Sequence, residues 1–360
     1  MRLARPRGSG PPTGHRLALR AVLALGIVAV CASLLAASQA ELLASRSSVE
    51  ISPGRNVPST SGPPSTASAD PQATLRSSGS AIAATPTSSP QQDPVLVGAG
   101  DICEASHIAS AKMTATLIQG RPTAQVFTVG DNSNDVGSAS NYTNCYAPSW
   151  GRFLSRTRAT VGNHDYMTDG GAPYYAYFGA AAGPAGLGYY SYDLANNWHV
   201  IVLNSQCSQV HGCKAGSPEE KWLRNDLAAS TGKHIIAMWH IPAFSSGEDH
   251  GNNPNYLDWW ADLFEAHADL ILNGHDHDYE RFALQSPAGV ADANGIREFV
   301  IGTGGAGQRP FGQIRANSQV RHTGTYGVLV LTLRAHGYDW LFQPVAGESF
   351  TDSGTQATHT

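Results

Sequence analysis

From Asp93 onward the chain is built on short apolar runs, and five times such a stretch passes into a turn that carries a side chain able to bind a metal. The runs are Val95-Leu96-Val97, Gln125-Val126-Phe127-Thr128-Val129, His199-Val200-Ile201-Val202-Leu203, His234-Ile235-Ile236-Ala237-Met238, Asp269 to Leu272, Glu298-Phe299-Val300-Ile301 and Gly327-Val328-Leu329-Val330-Leu331. Each is short and bounded by glycine or polar residues, so buried strands are expected rather than helices. Between them, Ile108 to Gln119, Pro218 to Ala229 and Asn255 to Ala268 space their apolar residues at helical intervals. Ser217-Pro218-Glu219-Glu220 offers a capping box with proline at the first helical position. Alternating strands and helices predict an α/β fold with packed sheets around one core. The Trp259-Trp260 pair lies on the third helix, with at least one ring expected in that core.

The polar residues follow the carboxyl ends of the strands, where sites in α/β sheets gather. Gly100-Asp101-Ile102-Cys103 follows the first run, Gly130-Asp131-Asn132 the second, and Gly162-Asn163-His164-Asp165 follows Thr160-Val161. Met238-Trp239-His240 ends a fourth run and Asn273-Gly274-His275-Asp276-His277 a fifth. Each turn is ordinary alone. Together they bring carboxylates, an amide oxygen and imidazoles to one edge, the donor set of hard and borderline metal ions. The ligand count implies two metals. One bridging carboxylate holds two ions about 3.5–4 Å apart, the spacing at which a bridging hydroxide attacks phosphorus.

Composition narrows the partners and the compartment. From Asp93 the chain carries 15 Lys and Arg against 25 Asp and Glu, a formal charge of −10, with no basic run. Nucleic acid is therefore not expected as a partner. Residues 1–40 join an arginine-bearing, acid-free start to the uncharged apolar run Ala21 to Ala40, an export signal or N-terminal membrane anchor. Residues 41–92, rich in Ser, Thr, Pro, Ala and Gly, read as a disordered linker, residues 93–346 as the catalytic domain and 347–360 as a disordered tail. The chain is expected to be secreted or held at the cell surface, with membrane or cell-wall association through its N-terminal segment and linker. Outside the leader stand Cys103, Cys145, Cys207 and Cys213, an even number that suggests two disulfides. Cys207 with Cys213 closes a short loop, which leaves Cys103 for Cys145. The competing reading makes Cys103 a metal thiolate.

Asp101, Gly130-Asp131, Gly162-Asn163-His164-Asp165, His240 and Gly274-His275-Asp276-His277, in that order, resemble the calcineurin-like metallophosphoesterases and, within them, the purple acid phosphatase-like branch. The resemblance covers about Val95 to Gly305. It implies an αββα sandwich of two packed mixed sheets flanked by helices. It also implies two metal ions per chain, of Fe, Mn or Zn: Asp101, Asp131 and His277 around the first, Asp131, Asn163, His240 and His275 around the second, with Asp131 as the bridge. His164 would touch the phosphoryl oxygen or protonate the leaving alkoxide, and Asp165 would orient its ring. Two positions depart from the family pattern. Cys103 stands where many members have histidine, and Asn134 stands where purple acid phosphatases have tyrosine, so the iron(III)-tyrosinate colour should be missing. Water, Cys103 or Asn134 must then complete the first site.

Other motifs take lesser roles. His250, in the loop Pro242 to His250, is either a substrate contact or a solvated loop histidine. Asp278-Tyr279-Glu280-Arg281 is expected to brace the histidine turn through charge pairs. Gly302-Thr303-Gly304-Gly305 lacks the lysine of a nucleotide-binding loop and is expected to serve close backbone packing. The resulting expectation is an exported binuclear hydrolase of small phosphate monoesters. A phosphodiesterase on the same site is the nearest alternative. A non-catalytic surface binding protein on a degenerate scaffold is the alternative outside enzymes, and the intact ligand set weighs against it.

Overall fold

The computed structural model describes residues 92–359. The expected export segment, residues 1–40, and all but the last residue of the expected linker lie outside the described residues. In chain order the strands are β1 (Val95–Ala99), β2 (Gln125–Thr128), β3 (Thr157–Arg158), β4 (Tyr190–Leu194), β5 (Trp198–Val202), β6 (His234–Met238), β7 (Leu270–Asn273), β8 (Tyr279–Phe282), β9 (Arg297–Ile301), β10 (Ser318–His322), β11 (Gly327–Arg334), β12 (Gly337–Pro344) and β13 (Asp352–Ala357). They form a six-stranded sheet in the order β13-β12-β11-β1-β2-β3 and a seven-stranded sheet in the order β10-β8-β9-β7-β6-β5-β4. β1, β2 and β3 run parallel, as do β5, β6, β7 and β9, while the outer strands are antiparallel. Four helices matter to the packing: α1 (Ile108–Gln119), α2 (Ala172–Phe178), α3 (Pro218–Ala229) and α4 (Leu257–Glu265).

Alternation along each strand sorts its side chains into layers. Leu96, Phe127 and Val129 from one sheet meet Val200, Ile236, Leu270 and Leu272 from the other in a shared core between the sheets. Their neighbours Val97, Ala99 and Val126 face outward and pack with Ala111, Ala115 and Ile118 of α1. On the opposite outer face, Ile201, Ile235, Ala237 and Ile271 cover Leu223 and Leu227 of α3 and Trp259, Trp260 and Leu263 of α4. Both tryptophans are fully buried. The central strands are wrapped on both faces, which is why their sequence reads as unbroken apolar runs. The expected αββα sandwich is the fold.

Local chemistry sets several boundaries. α3 begins where Ser217 Oγ accepts from Glu220 N at 3.2 Å with Pro218 at the first turn. Only half of the expected capping box forms, because the Glu220 carboxylate turns to Gly216 N at 2.8 Å instead of returning to Ser217. The expected strand at Thr160-Val161 is displaced to the two residues of β3, and residues 159–163 are irregular backbone leading into the site.

The expected disordered tail is corrected by β13, which adds to the edge of the six-stranded sheet. The tail looks like linker because alternate residues of an edge strand are exposed and polar. Its anchor is Asp352, which accepts from Tyr279 OH at 2.7 Å, Arg281 Nε at 2.6 Å, Arg281 Nη2 at 3.2 Å and Trp340 Nε1 at 3.2 Å. Arg281 therefore does not brace the histidine turn; it ties one sheet to the last strand of the other. Asp352→Ala should leave a partly buried guanidinium, a phenol and an indole without their acceptor. Loss of about 3 kcal/mol is expected in denaturant unfolding, and no measurable loss would contradict this role.

A second tie gives stability a pH dependence. Asp269, buried just before β7, accepts from Ile235 N at 3.1 Å and His359 N at 2.8 Å. Burial drives its carboxyl up to about 7, against the lowering effect of those two bonds. The unfolded chain releases this proton near pH 4 and the folded chain near 7, so between them the folded state holds the extra proton. Stability from this group is full below about pH 4 and falls by about 1.4 kcal/mol per pH unit up to about 7. Asp269→Asn should flatten that slope when unfolding is followed from pH 4.5 to 7.5, and an unchanged slope would refute the assignment.

Candidate metal centre

The loops after β1, β2, β3, β6 and β7 converge at one edge of the sandwich. Glycine makes the approach possible at two of them. A Cβ on Gly162 would lie 2.1 Å from Asp131 Oδ1, and one on Gly130, whose φ is +94°, would lie 2.5 Å from His240 Nδ1. Asp101, Asp131 and His275 themselves hold φ of 55°, 48° and 72°, the left-handed region that costs a non-glycine residue free energy. Three strained residues at one point mark a place where side-chain position outweighs backbone comfort.

Asp131, His240 and His275 each offer a ligand atom, and these atoms lie within 4.8 Å of one another. His240 Nε2 is 3.2 Å from Asp131 Oδ2, 3.0 Å from Asn163 Oδ1 and 3.2 Å from His275 Nδ1. Its Nδ1 donates to Val129 O at 2.8 Å, which fixes the tautomer and turns Nε2 inward. Next to this cluster, His277 Nε2 is 3.3 Å from Asp101 Oδ1, while its Nδ1 donates to Gly307 O at 2.7 Å. Asp101 Oδ2 accepts from His275 N at 2.9 Å, leaving buried Oδ1 without a hydrogen-bond partner. Asp131, Asn163, His240 and His275 thus form one group and Asp101 with His277 a pair linked to it through His275 N, and the orphaned carboxylate oxygen with the inward imidazole nitrogens suits a cation.

The electrostatics agree. Burial works to raise the Asp131 carboxyl, yet the imidazoles of His240, His164 and His275 hold it below the ordinary range. Burial works against charge on His240, but Asp131 and Asp101 carry it up to about 9. His275, buried and beside His240 and His250, is pushed well below its usual value. Imidazole nitrogens must be free of protons to hold a metal, so metal binding at this cluster would release protons.

His164 lies at the open side of this cluster, its Nε2 3.9 Å from Asp131 Oδ2 and its side chain 29% exposed. Its Nδ1 donates to the carbonyl of Asp135 at 2.7 Å. Asp165, expected to orient that ring, does not touch it. Its buried carboxylate instead accepts from Asn132 N, Asn132 Nδ2, Ser133 N and Gly162 N at 2.9–3.2 Å and from Tyr142 OH at 2.5 Å. Asp165 clamps the two ligand loops, and the carbonyl of Asp135 orients His164. No side-chain pattern in the sequence signals a backbone acceptor. Tyr142 is likewise invisible beforehand, since its place depends on a packed cluster with Tyr146, Tyr177 and Phe178.

The two departures from the family pattern are also placed. Cys103 is joined to Cys145, and Cys207 to Cys213, with Cα separations of 5.8 and 5.0 Å. Cys103 has no thiolate to offer, so its reading as a ligand is corrected. Asn134 is buried and its Oδ1 has no hydrogen-bond partner. His250 is exposed, with its ring stacked on His275 at 3.9 Å between centroids, so it borders both the centre and solvent. Gly302, Gly304 and Gly305 pack as expected against Asp276 O, Gly100 O and Ile102 O.

Residues 96–279 match the family described as calcineurin-like phosphoesterase. Among curated proteins, the chain is 26% identical over 169 residues to a probable purple acid phosphatase 20 and 32% identical over 122 residues to purple acid phosphatase 22, both of Arabidopsis thaliana. These matches cover 40% and 32% of this chain, and 38% and 27% of the relatives' own length. Among solved structures, purple acid phosphatase PPD1 from yellow lupin (Lupinus luteus) seeds superposes with a TM-score of 0.60 at 19% identity, covering 73% of this chain and 53% of the lupin chain. GAP50, the anchor in the inner membrane complex of Plasmodium, superposes with a TM-score of 0.59 at 15% identity, covering 75% of this chain and 90% of its own.

Proposed function

The chain belongs to the calcineurin-like phosphoesterase family, and we propose, from its likeness to purple acid phosphatases, that it is an exported hydrolase of small phosphate monoesters with a two-metal centre. The observation that carries this is the convergence of Asp131, His240 and His275 ligand atoms within 4.8 Å, with His164 at the open side. Asp131, Asn163, His240 and His275 would hold one ion, and Asp101, His277 and Asp131 the other. The oxygen and nitrogen donors suit Fe, Mn or Zn. With Cys103 in a disulfide, water or Asn134 Oδ1 would have to complete the first ion's shell. When bound, the ions supply an activated water and neutralise charge building on the phosphoryl oxygens. His164 Nε2, its ring fixed by Asp135, protonates the departing alkoxide or steadies a phosphoryl oxygen. Asp165 and Tyr142 keep the loops of Asp131 and Asn163 at constant separation. His250 meets the substrate from the opposite rim.

Export is supported by the arginine-rich, then apolar, first 40 residues and by two disulfides in the described region. The functional reading is tested by elemental analysis of the purified chain alongside hydrolysis of an aryl phosphate monoester and diester across a pH series. About two metals per chain with faster monoester turnover is the expected result. Faster diester turnover would move the assignment to phosphodiesterase. Failure to bind metal or to turn over either ester after reconstitution would overturn it.

A further inference from the structure

Two loops on the His250 side of the centre are zipped together by backbone pairing. Gly247 pairs with Phe311, Glu248 N donates to Pro310 O at 3.1 Å and Gly312 N donates to Ser246 O at 2.8 Å. The pairing places Arg309 beside the centre, with Nε 3.4 Å from His277 Nδ1. The backbone of Arg309 is fixed, since its N–H donates to His277 O at 3.0 Å and its carbonyl accepts from Thr323 Oγ1 at 2.6 Å. Its guanidinium is less committed: Nη1 pairs with Asp249, and the two side chains are 43% and 40% exposed.

We propose that Arg309 is a substrate-binding residue whose guanidinium leaves Asp249 for the phosphoryl oxygens of the incoming ester, with Asp249 as a built-in competitor. This rests on the phosphoesterase reading. Exposed ion pairs are weak and easily exchanged. A phosphate offers several charged oxygens to the planar fork of arginine, a stronger partner than one solvated carboxylate. The loops are already joined by main-chain bonds, so the ion pair is not needed to hold them. In a region of formal charge −10, a guanidinium this close to His277 also offsets the repulsion that an anionic substrate meets.

The test is calorimetric binding of inorganic phosphate to the metal-loaded full chain, for wild type, Arg309→Met and Asp249→Asn, with KM and kcat for an aryl phosphate beside it. Arg309→Met should weaken phosphate about tenfold, as loss of one charge-assisted contact implies. Asp249→Asn should tighten it severalfold, more so at low salt, and KM should follow binding while kcat moves less. Arg309→Lys should recover part of the affinity. Both variants weakening phosphate, or neither shifting it, would overturn this inference while wild-type hydrolysis left the phosphoesterase reading intact. A wild type that neither binds phosphate nor hydrolyses ester would overturn both.

Discussion

Asp131→Asn is expected to abolish turnover together with stoichiometric metal binding. Its Oδ1 accepts from His164 N at 2.8 Å, while Oδ2 faces His240 Nε2 at 3.2 Å. An asparagine can keep its oxygen on the first partner only by turning its amide N–H toward the second, where it meets imidazole nitrogen and would oppose a cation. Partners outside the ligand shell already change metal affinity by about 10–100-fold. A central carboxylate should exceed that range, so a competing chelator should strip the variant at concentrations that leave wild type loaded. Retention of full metal content in Asp131→Asn would refute its place between the ions.

His164→Ala should separate the two losses. The backbone N–H that shapes Asp131 survives the substitution, and the imidazole contributes no atom to the ligand cluster. Metal content should therefore stay near wild type while kcat falls by about 10²- to 10⁴-fold, the usual contribution of a positioned proton donor. The loss should be smaller for esters with acidic leaving groups, which need little protonation. An unaltered kcat across leaving groups would remove His164 from the chemistry.

The residues that gather at the candidate metal centre were legible in the sequence because each is a side-chain type with a metal-binding donor atom and stands near a strand end. The same holds for α1 and α3, whose observed bounds are the expected ones, Ile108–Gln119 and Pro218–Ala229. What escaped was anything decided by distant packing. β12 mixes Asp339 and Gln343 with aromatic residues, and β13 is polar because it lies at an edge; their register appears only once β11 offers a template. Asp165 sits beside His164 in sequence, which suggests a catalytic pair, yet four N–H groups and a phenol compete for its carboxylate and prevail. Arg309 and Asp249 are 60 residues apart, and neither stands in a recognisable pattern.

The bridge from Cys103 to Cys145 joins more than two loops. Cys103 follows Asp101 by two residues, its carbonyl accepts from Asn134 N at 2.7 Å, and Cys145 lies in the same turn as Tyr142, which holds Asp165. One covalent link thus connects the segment bearing Asp101 with the segment that holds Asp165 beside His164. Maturation in a reducing cytosol would leave these segments to find their spacing by packing alone. Formation of this bond thus becomes, in this protein, an assembly condition for the face where the candidate metal centre lies.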